Sequence, residues 1–245
     1  MLMNQTPTLV LGLGGIGSKV ANFVDDMLSE KDKKYVSCLG MDTNIEDLKK
    51  LTIKYVQTSD KRRVRTVLEE HPEYCEWFPV NKFTVDRGML EGAGQIRAIS
   101  RLAGLEAMHT GKFRVLEDEM RRIMYHDGKN DTSRFNVLLV GSITGGTGAG
   151  LFLQIPYYIR NYLKKEMGME NIRIRGMYIS ADITSKFQPS DINKEAVKVN
   201  AYACMKELNA FYMAQEDSDA TAELSLEFFE HTNAKDRIGS VMSRM

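Results

Sequence analysis

The feature that most constrains this chain is an apolar strand that runs straight into glycine. Phe135-Asn136-Val137-Leu138-Leu139-Val140-Gly141 reads as a strand buried on both faces, as in a parallel sheet, and Ser142-Ile143-Thr144-Gly145-Gly146-Thr147-Gly148-Ala149-Gly150 follows it. Residues without a Cβ let the backbone approach an anion and aim several N–H groups at it. A helix predicted from Leu151 to about Lys165 adds the positive end of its dipole. Gly145, Gly146, Thr147, Gly148, Ala149 and Gly150 are therefore phosphate-binding candidates, and Thr147 brings the one loop side chain able to bond a phosphate oxygen directly. The pattern is not a P-loop, because G-x-x-x-x-G-K-[ST] requires a lysine that is missing here. Neutralisation falls to backbone dipoles and to Mg²⁺.

A second turn of this kind lies near the start. Thr8-Leu9-Val10-Leu11 reads as a short strand ending in Gly12-Leu13-Gly14-Gly15-Ile16-Gly17, and Ser18 to Leu28 carries apolar residues at helical spacing. Tyr35 to Met41 is a second strand that closes on Asp42-Thr43-Asn44, with a helix from Ile45 capped by Asn44. The first turn alone is compatible with NAD, since Asp42 lies at about the separation a ribose-binding acid needs. It is equally compatible with the adenylating fold of ubiquitin-activating-type enzymes. Neither accounts for Gly145 to Gly150. Asp42 itself reads as a water-mediated Mg²⁺ contact or as a turn residue.

The stretch from Val56 to Arg87 is mixed, broken by Pro72 and Pro79, with a short strand expected at Asn81 to Val85. Leu90-Glu91-Gly92-Ala93-Gly94-Gln95 is a third glycine turn. Helices are expected over Ile96 to Met108 and Phe113 to Tyr125, a surface loop over His126 to Ser133, and a strand over Ile172 to Ile179. From Ser190 a long helix runs to about Gln215, with Ile192, Ala196, Val199, Asn200, Ala203, Cys204, Leu208 and Phe211 on one stripe. Leu224 to Phe229 alternates weakly, and Asn233 to Met245 is a polar tail. Alternating strands and helices imply an α/β fold: an open, mainly parallel sheet with helices on both faces, and ligands at the carboxyl ends of the strands. Both strand-ending turns should then face one crevice. The expected division is a nucleotide-binding domain over 1–189, a long central helix over 190–215 and a short carboxy-terminal segment over 216–245.

Composition excludes several classes. The 33 Lys and Arg balance 33 Asp and Glu, so no net charge draws the chain to nucleic acid. The run Lys61-Arg62-Arg63-Val64-Arg65, followed by Glu69 and Glu70, reads as a solvated helix face. No apolar run approaches the roughly 20 residues a bilayer span needs, and the opening residues lack a signal-peptide pattern, so a cytoplasmic location is expected. Cys38, Cys75 and Cys204 read as reduced packing thiols. His71, His109, His126 and His231 never fall at i, i+4 or beside a cysteine pair, and no zinc site is expected.

Taken together, the turns resemble the tubulin/FtsZ superfamily, most closely its prokaryotic tubulin-like branch, over residues 8 to about 213. Gly145-Gly146-Thr147-Gly148-Ala149-Gly150 matches the signature G-G-T-G-[STA]-G of that superfamily. The resemblance implies binding of GTP or GDP with Mg²⁺. It makes Gly12 to Ser18 the first nucleotide loop, with Gly14, Gly15 and Ile16 at the phosphates. Asp42 and Thr43 fall in the loop after the second strand, and Gly92, Ala93, Gly94 and Gln95 face the γ-phosphate. Asn200 would read guanine from the central helix; independently, a polar amide within an apolar stripe must find hydrogen-bond partners.

Members usually continue into an acidic loop that completes the neighbouring subunit's site, and then into a second domain. Asp217 and Asp219 lack the N-x-D-x-x-[DE] pattern of that loop, so no catalytic residue is assigned. The second domain is expected to be absent or truncated, and the sugar-binding segment Asp182 to Gln188 departs from the usual form. The expected function is a GTP-binding protein and Mg²⁺-dependent GTPase, slow unless a partner subunit completes the site, that assembles head to tail into a homo-polymer. The alternatives are an NAD-linked oxidoreductase, an adenylating enzyme, or a scaffold that holds nucleotide without turning it over.

Overall fold

The computed structural model describes residues 6–81, 85–89, 94–126, 134–216, 226–229 and 235–238. Five strands, β1 (Thr8–Leu13), β2 (Val36–Asp42), β3 (Lys54–Gln57), β4 (Arg134–Ser142) and β5 (Asn171–Ile179), form a parallel sheet in the order β3-β2-β1-β4-β5. Leu11 lies between Leu39 of β2 and Leu139 of β4, so β1 is the buried centre. The chain winds outward from β1 to β3 and then returns to start β4 on the other side of β1. This reversal opens a crevice at the carboxyl ends of β1 and β4, the place where open α/β sheets take ligands.

The helices are α1 (Gly14–Met27), α2 (Ile45–Leu48), α3 (Val64–Glu70), α4 (Arg97–His109), α5 (Arg114–Met124), α6 (Gly146–Leu151), α7 (Gln154–Lys165), α8 (Ala181–Thr184) and α9 (Asp191–Glu216). Helix α1 covers one sheet face, with Ala21, Val20 and Val24 against Val10, Cys38 and Val140. On the other face Leu9, Leu11, Leu39, Phe135, Val137 and Leu139 pack against Leu116, Met120 and Ile123 of α5 and Ile155 and Ile159 of α7. This is the expected architecture, and strand alternation supplies both faces. Two further short strands, β6 (Leu226–Phe229) and β7 (Lys235–Ile238), pair antiparallel.

Several expectations need correction. Both glycine turns are already helical: α1 begins at Gly14 and α6 at Gly146. The helix expected from Leu151 to Lys165 breaks at Phe152 and Leu153, because Pro156 lacks an N–H and its ring crowds the carbonyl four residues earlier. The strand expected at Asn81 to Val85 is not formed at its described end, where Val85 donates its N–H to the Asn81 carbonyl at 3.0 Å; residues 82–84 lie outside the described residues. Strand β3 was hidden because only four residues pair at the sheet edge and two of them are polar. The inward face of α9 matches expectation in part: Asn200, Cys204 and Phe211 are buried and Leu208 packs beside them, but Val197 and Ala201 are buried in place of Ile192 and Val199, which are 82% and 63% exposed. Apolar residues surround this helix, and contact with Ala149, Phe152 and Leu153 selects the face. Among the described residues no helix is long and apolar enough to cross a membrane.

One buried carboxylate ties α5 to the sheet. Glu119 accepts from Ser37 of β2 at 2.7 Å, Lys54 of β3 at 2.5 Å and Arg122 at 2.8 Å. Burial alone would raise its pKa, but these hydrogen bonds outweigh burial and hold it below the usual value. A depressed folded pKa means the stabilisation is complete above the unfolded-state value, about 4.3, and is lost as pH falls through the folded value. Glu119→Ala is expected to cost about 1–3 kcal/mol in urea unfolding, mainly because the buried Ser37 hydroxyl loses its acceptor. It should also remove this share of the acid sensitivity.

Candidate functional site

A cleft of about 430 Å³ lies at the carboxyl ends of β1, β2 and β4. The amino-terminal ends of α1 (Gly14, Gly15, Ile16) and α6 (Gly145, Gly146, Thr147, Gly148) form its floor, Asp42, Thr43, Asn44 and Asp47 one wall, and Gly94, Gln95, Thr184, Gln188 and Val197 the other. The two turns meet directly: a Cβ on Gly14 would lie 3.4 Å from the Gly148 nitrogen and 3.6 Å from the Thr147 Cβ. Gly14, at φ +74°, adopts the left-handed conformation that a side chain would resist. Gly92 and Ala93, the remaining phosphate candidates of the third turn, lie outside the described residues, as do Asp217 and Asp219.

Not every glycine of these turns faces the cleft. A Cβ on Gly12 would overlap the Gly17 carbonyl, and one on Gly17 the Val140 carbonyl, so this pair lets α1 pack onto β1 and β4. The Ser18 hydroxyl donates to the Gly12 carbonyl at 3.3 Å beneath that contact. Ala149 and Gly150 lie one turn along α6: the Ala149 carbonyl accepts from Arg97 at 3.3 Å, and Gly150 abuts the backbone of α4. Ala149, Gly150, Gly12, Ser18 and Asn200 are not among the residues that line the cleft.

Among the described residues the lining contains two carboxylates and no lysine or arginine, and the guanidinium of Arg87 lies 2.6 Å from where a Cβ on the lining Gly94 would sit. Asp42 is buried, and burial raises its carboxyl pKa despite hydrogen bonds from Thr147 Oγ1 (2.7 Å) and the Asn44 and Thr43 backbone N–H groups (3.3 and 2.7 Å). These bonds all converge on Oδ1, and Oδ2 lies beside Gly15. Asp47 Oδ2 is on the same side, 3.1 Å from where a Gly15 Cβ would sit. Asp47 was missed in the sequence; it stands in the first turn of a helix capped by Asn44, whose Oδ1 accepts the Glu46 N–H at 3.0 Å. Thr147 spends its one hydroxyl proton on Asp42 and lies 3.0 Å from the Thr43 hydroxyl, so these side chains orient the carboxylate.

Asn200 is buried behind the cleft. Its amide donates to the Gln95 carbonyl at 2.9 Å and the Thr144 carbonyl at 3.0 Å, which joins the third turn to the α6 turn. Both bonds use its side-chain N–H groups, so contact with a base would fall to its Oδ1 acceptor. Gln95, at φ +64°, is the one described non-glycine residue in the left-handed region, a strained conformation of order 1 kcal/mol that the bond from Asn200 holds. The Cys38 and Cys204 thiols are pushed up to about 12 by burial and are inert packing groups.

Against this geometry, the family model described as "Tubulin like" matches residues 9–237. The chain belongs to the tubulin-like family. No curated protein matches it. Among solved structures it is similar to CetZ2 from Haloferax volcanii, a GTPγS-bound protofilament, at 13% identity and TM-score 0.41, covering 89% of this chain and 61% of that one. It is also similar to CetZ from Methanosaeta thermophila strain DSM 6194, at 14% identity and TM-score 0.40, covering 89% and 57%. The chain of the tubulin-like protein thus spans about three fifths of the length of these relatives.

Proposed function

We propose that the cleft of this tubulin-like protein binds GTP or GDP with Mg²⁺ and that the chain is a slow GTPase completed by a second copy. The observation that carries the reading is the convergence of two lysine-free turns, Gly14 to Ile16 and Gly145 to Gly148, on one cleft. Amides at the ends of α1 and α6 supply the donors a polyphosphate needs. They do not supply a full positive charge, and the buried Asp42 carboxylate adds negative charge, while Asp47 is already paired through Oδ1 with Lys50 at 3.2 Å. A divalent cation resolves that imbalance. Asp42 Oδ2 and Asp47 Oδ2 are hard oxygen donors suited to Mg²⁺, directly or through its water, and the bound cation would neutralise phosphate charge.

This chain's own groups would bind and orient. Gly145, Gly146 and Gly148 give close backbone approach, Thr147 and Thr43 hold Asp42, and Asn200 fixes the turn bearing Gly94 and Gln95. Gln95, whose amide donates to Gln188 at 3.4 Å, would position a water or phosphate oxygen. Backbone amides that meet developing charge at the transferred phosphoryl group require no reorganisation. The head-to-tail assembly is supported by apolar side chains at the cleft rim: Ile16 lines the cleft, and Ile183 and Phe187, each adjacent in sequence to a lining residue, are 54% and 79% exposed.

Nucleotide identity in the protein as purified, with titration by GTP, ATP and NAD, tests the assignment. Saturable binding of GTP or GDP is expected, and preference for NAD would sink it. Phosphate release should rise more than linearly with protein concentration, and Phe187→Ser should flatten that dependence without loss of nucleotide binding. Bound guanine nucleotide with no release at any concentration would leave the scaffold reading instead.

A further inference from the structure

Outside the cleft, three potential metal-ligating side chains meet where α3 ends beside α4. The spacing Glu106-x-x-His109 puts both residues on one face of α4, and His71, the residue that ends α3, brings the third donor. One ligand atom from each lies within 4.8 Å of the other two. Glu106 is 1% exposed. Arg62 donates to its Oε2, while Oε1 is buried with no hydrogen bond from any described residue, 3.6 Å from His71 Nε2. A buried carboxylate oxygen left in this state is costly and demands an explanation.

His71 Nδ1 lies 3.2 Å from Glu73 Oε1. A doubly protonated ring would pair with both carboxylates; with a single ring proton on Nδ1, donated to Glu73, Nε2 presents its lone pair toward Glu106 Oε1. Two electron-rich atoms then confront each other, and a cation between them removes the conflict. A carboxylate holding the far nitrogen is also how metal-bound histidines are commonly oriented. Two imidazoles with one carboxylate favour zinc-type ions over Mg²⁺ or Ca²⁺, which take oxygen donors.

We propose that His71, Glu106 and His109 form a binding site for a zinc-type divalent transition metal. Arg62 holds Glu106 so that Oε1 is the ligand atom, and Glu73 orients His71. Three protein ligands leave a fourth position for water, and the ion clips the end of α3 to α4. The Arg62 pairing also corrects the expectation of a solvated basic face: Arg62 bridges Asp60, Glu70 and Glu106.

The test is titration of the chelator-stripped full chain with Co²⁺, in excess Mg²⁺ to saturate the cleft carboxylates. One equivalent of Co²⁺ with a visible four-coordinate spectrum is expected, displaced by Zn²⁺ and lacking a thiolate charge-transfer band. Replacement of the exposed thiol, Cys75→Ser, should leave the spectrum unchanged. His71→Gln and His109→Gln should abolish it. Glu73→Gln should weaken Co²⁺ binding about 10–100-fold while keeping the spectrum. Because Glu73 is partly exposed, this variant keeps the test decisive if a histidine variant fails to fold. Absence of Co²⁺ binding, a spectrum that survives His109→Gln, a band that disappears with Cys75→Ser, or unchanged affinity in Glu73→Gln would overturn the proposal.

Discussion

Gly148→Ala is expected to destabilise the protein by about 3 kcal/mol or more and to abolish nucleotide binding, whereas Gly145→Ala, three residues earlier, should weaken binding alone. A Cβ on Gly148 would overlap the Ser142 carbonyl oxygen and lie 3.2 Å from the Ser142 backbone nitrogen. Those atoms belong to the end of β4 and cannot rotate away, so the turn itself must shift, an overpacking cost at or above the usual range. Gly145 has no atom within 4 Å of an added Cβ, and its φ of −86° suits any residue. Its methyl would therefore be tolerated by the fold, within about 0.5 kcal/mol. It would occupy a position in the cleft where backbone and phosphate have to approach. Urea unfolding paired with GTP titration separates the two effects. Equal destabilisation by both substitutions would mean that Gly145 serves packing and not the ligand.

Asp42→Asn is expected to raise the stability of the nucleotide-free protein at neutral pH while lowering affinity for Mg²⁺-GTP by about tenfold or more. Burial, the largest influence on Asp42, lifts its folded pKa above the unfolded value. For a carboxylate shifted in that direction, folding favours the protonated form. Its relative stabilisation is present at low pH and is lost as pH rises through the folded pKa. At pH 7 the ionised side chain is therefore a liability, and asparagine removes the charge while keeping an oxygen to accept from Thr147 and the Thr43 N–H. The stability gain should shrink as pH falls and the wild-type carboxyl protonates. Affinity moves the other way, because a charge-assisted contact of about 1.5–3 kcal/mol is lost. Thermal melts at two pH values and calorimetric titration with and without Mg²⁺ measure both. A fall in stability together with affinity would make Asp42 a structural turn residue.

Much of this was legible because the informative signals are local. A strand buried on both faces, a run of glycines and a capped helix each follow from a few adjacent residues, and β1, β2, β4 and β5 lie where periodicity puts them. Strand alternation with helices then leaves few topologies, so the meeting of the Gly14 and Gly145 turns was foreseeable. The face of α9 was foreseeable only in part, at Asn200, Cys204, Leu208 and Phe211, since apolar residues surround that helix and its neighbours choose among them. The division of the glycines was not foreseeable. Gly12, Gly17, Gly148 and Gly150 look like Gly145 and Gly146 in sequence, but their missing Cβ atoms make room for other backbone segments.

Sequence by itself determined the sheet, the strand-to-helix turns and the absence of a lysine at the expected phosphate cradle, because these depend on residue type and short-range spacing. Only the tertiary structure decided which atoms are committed elsewhere: the Thr147 proton to Asp42, the Asn200 amide to two carbonyls, and Glu106 to Arg62 on one oxygen alone. It also brought Asp47 to Gly15 and His71 to His109, encounters between residues 32 and 38 positions apart. Hydrogen-bond commitment and burial depend on partners distant in the chain, and those partners exist only once the chain has folded.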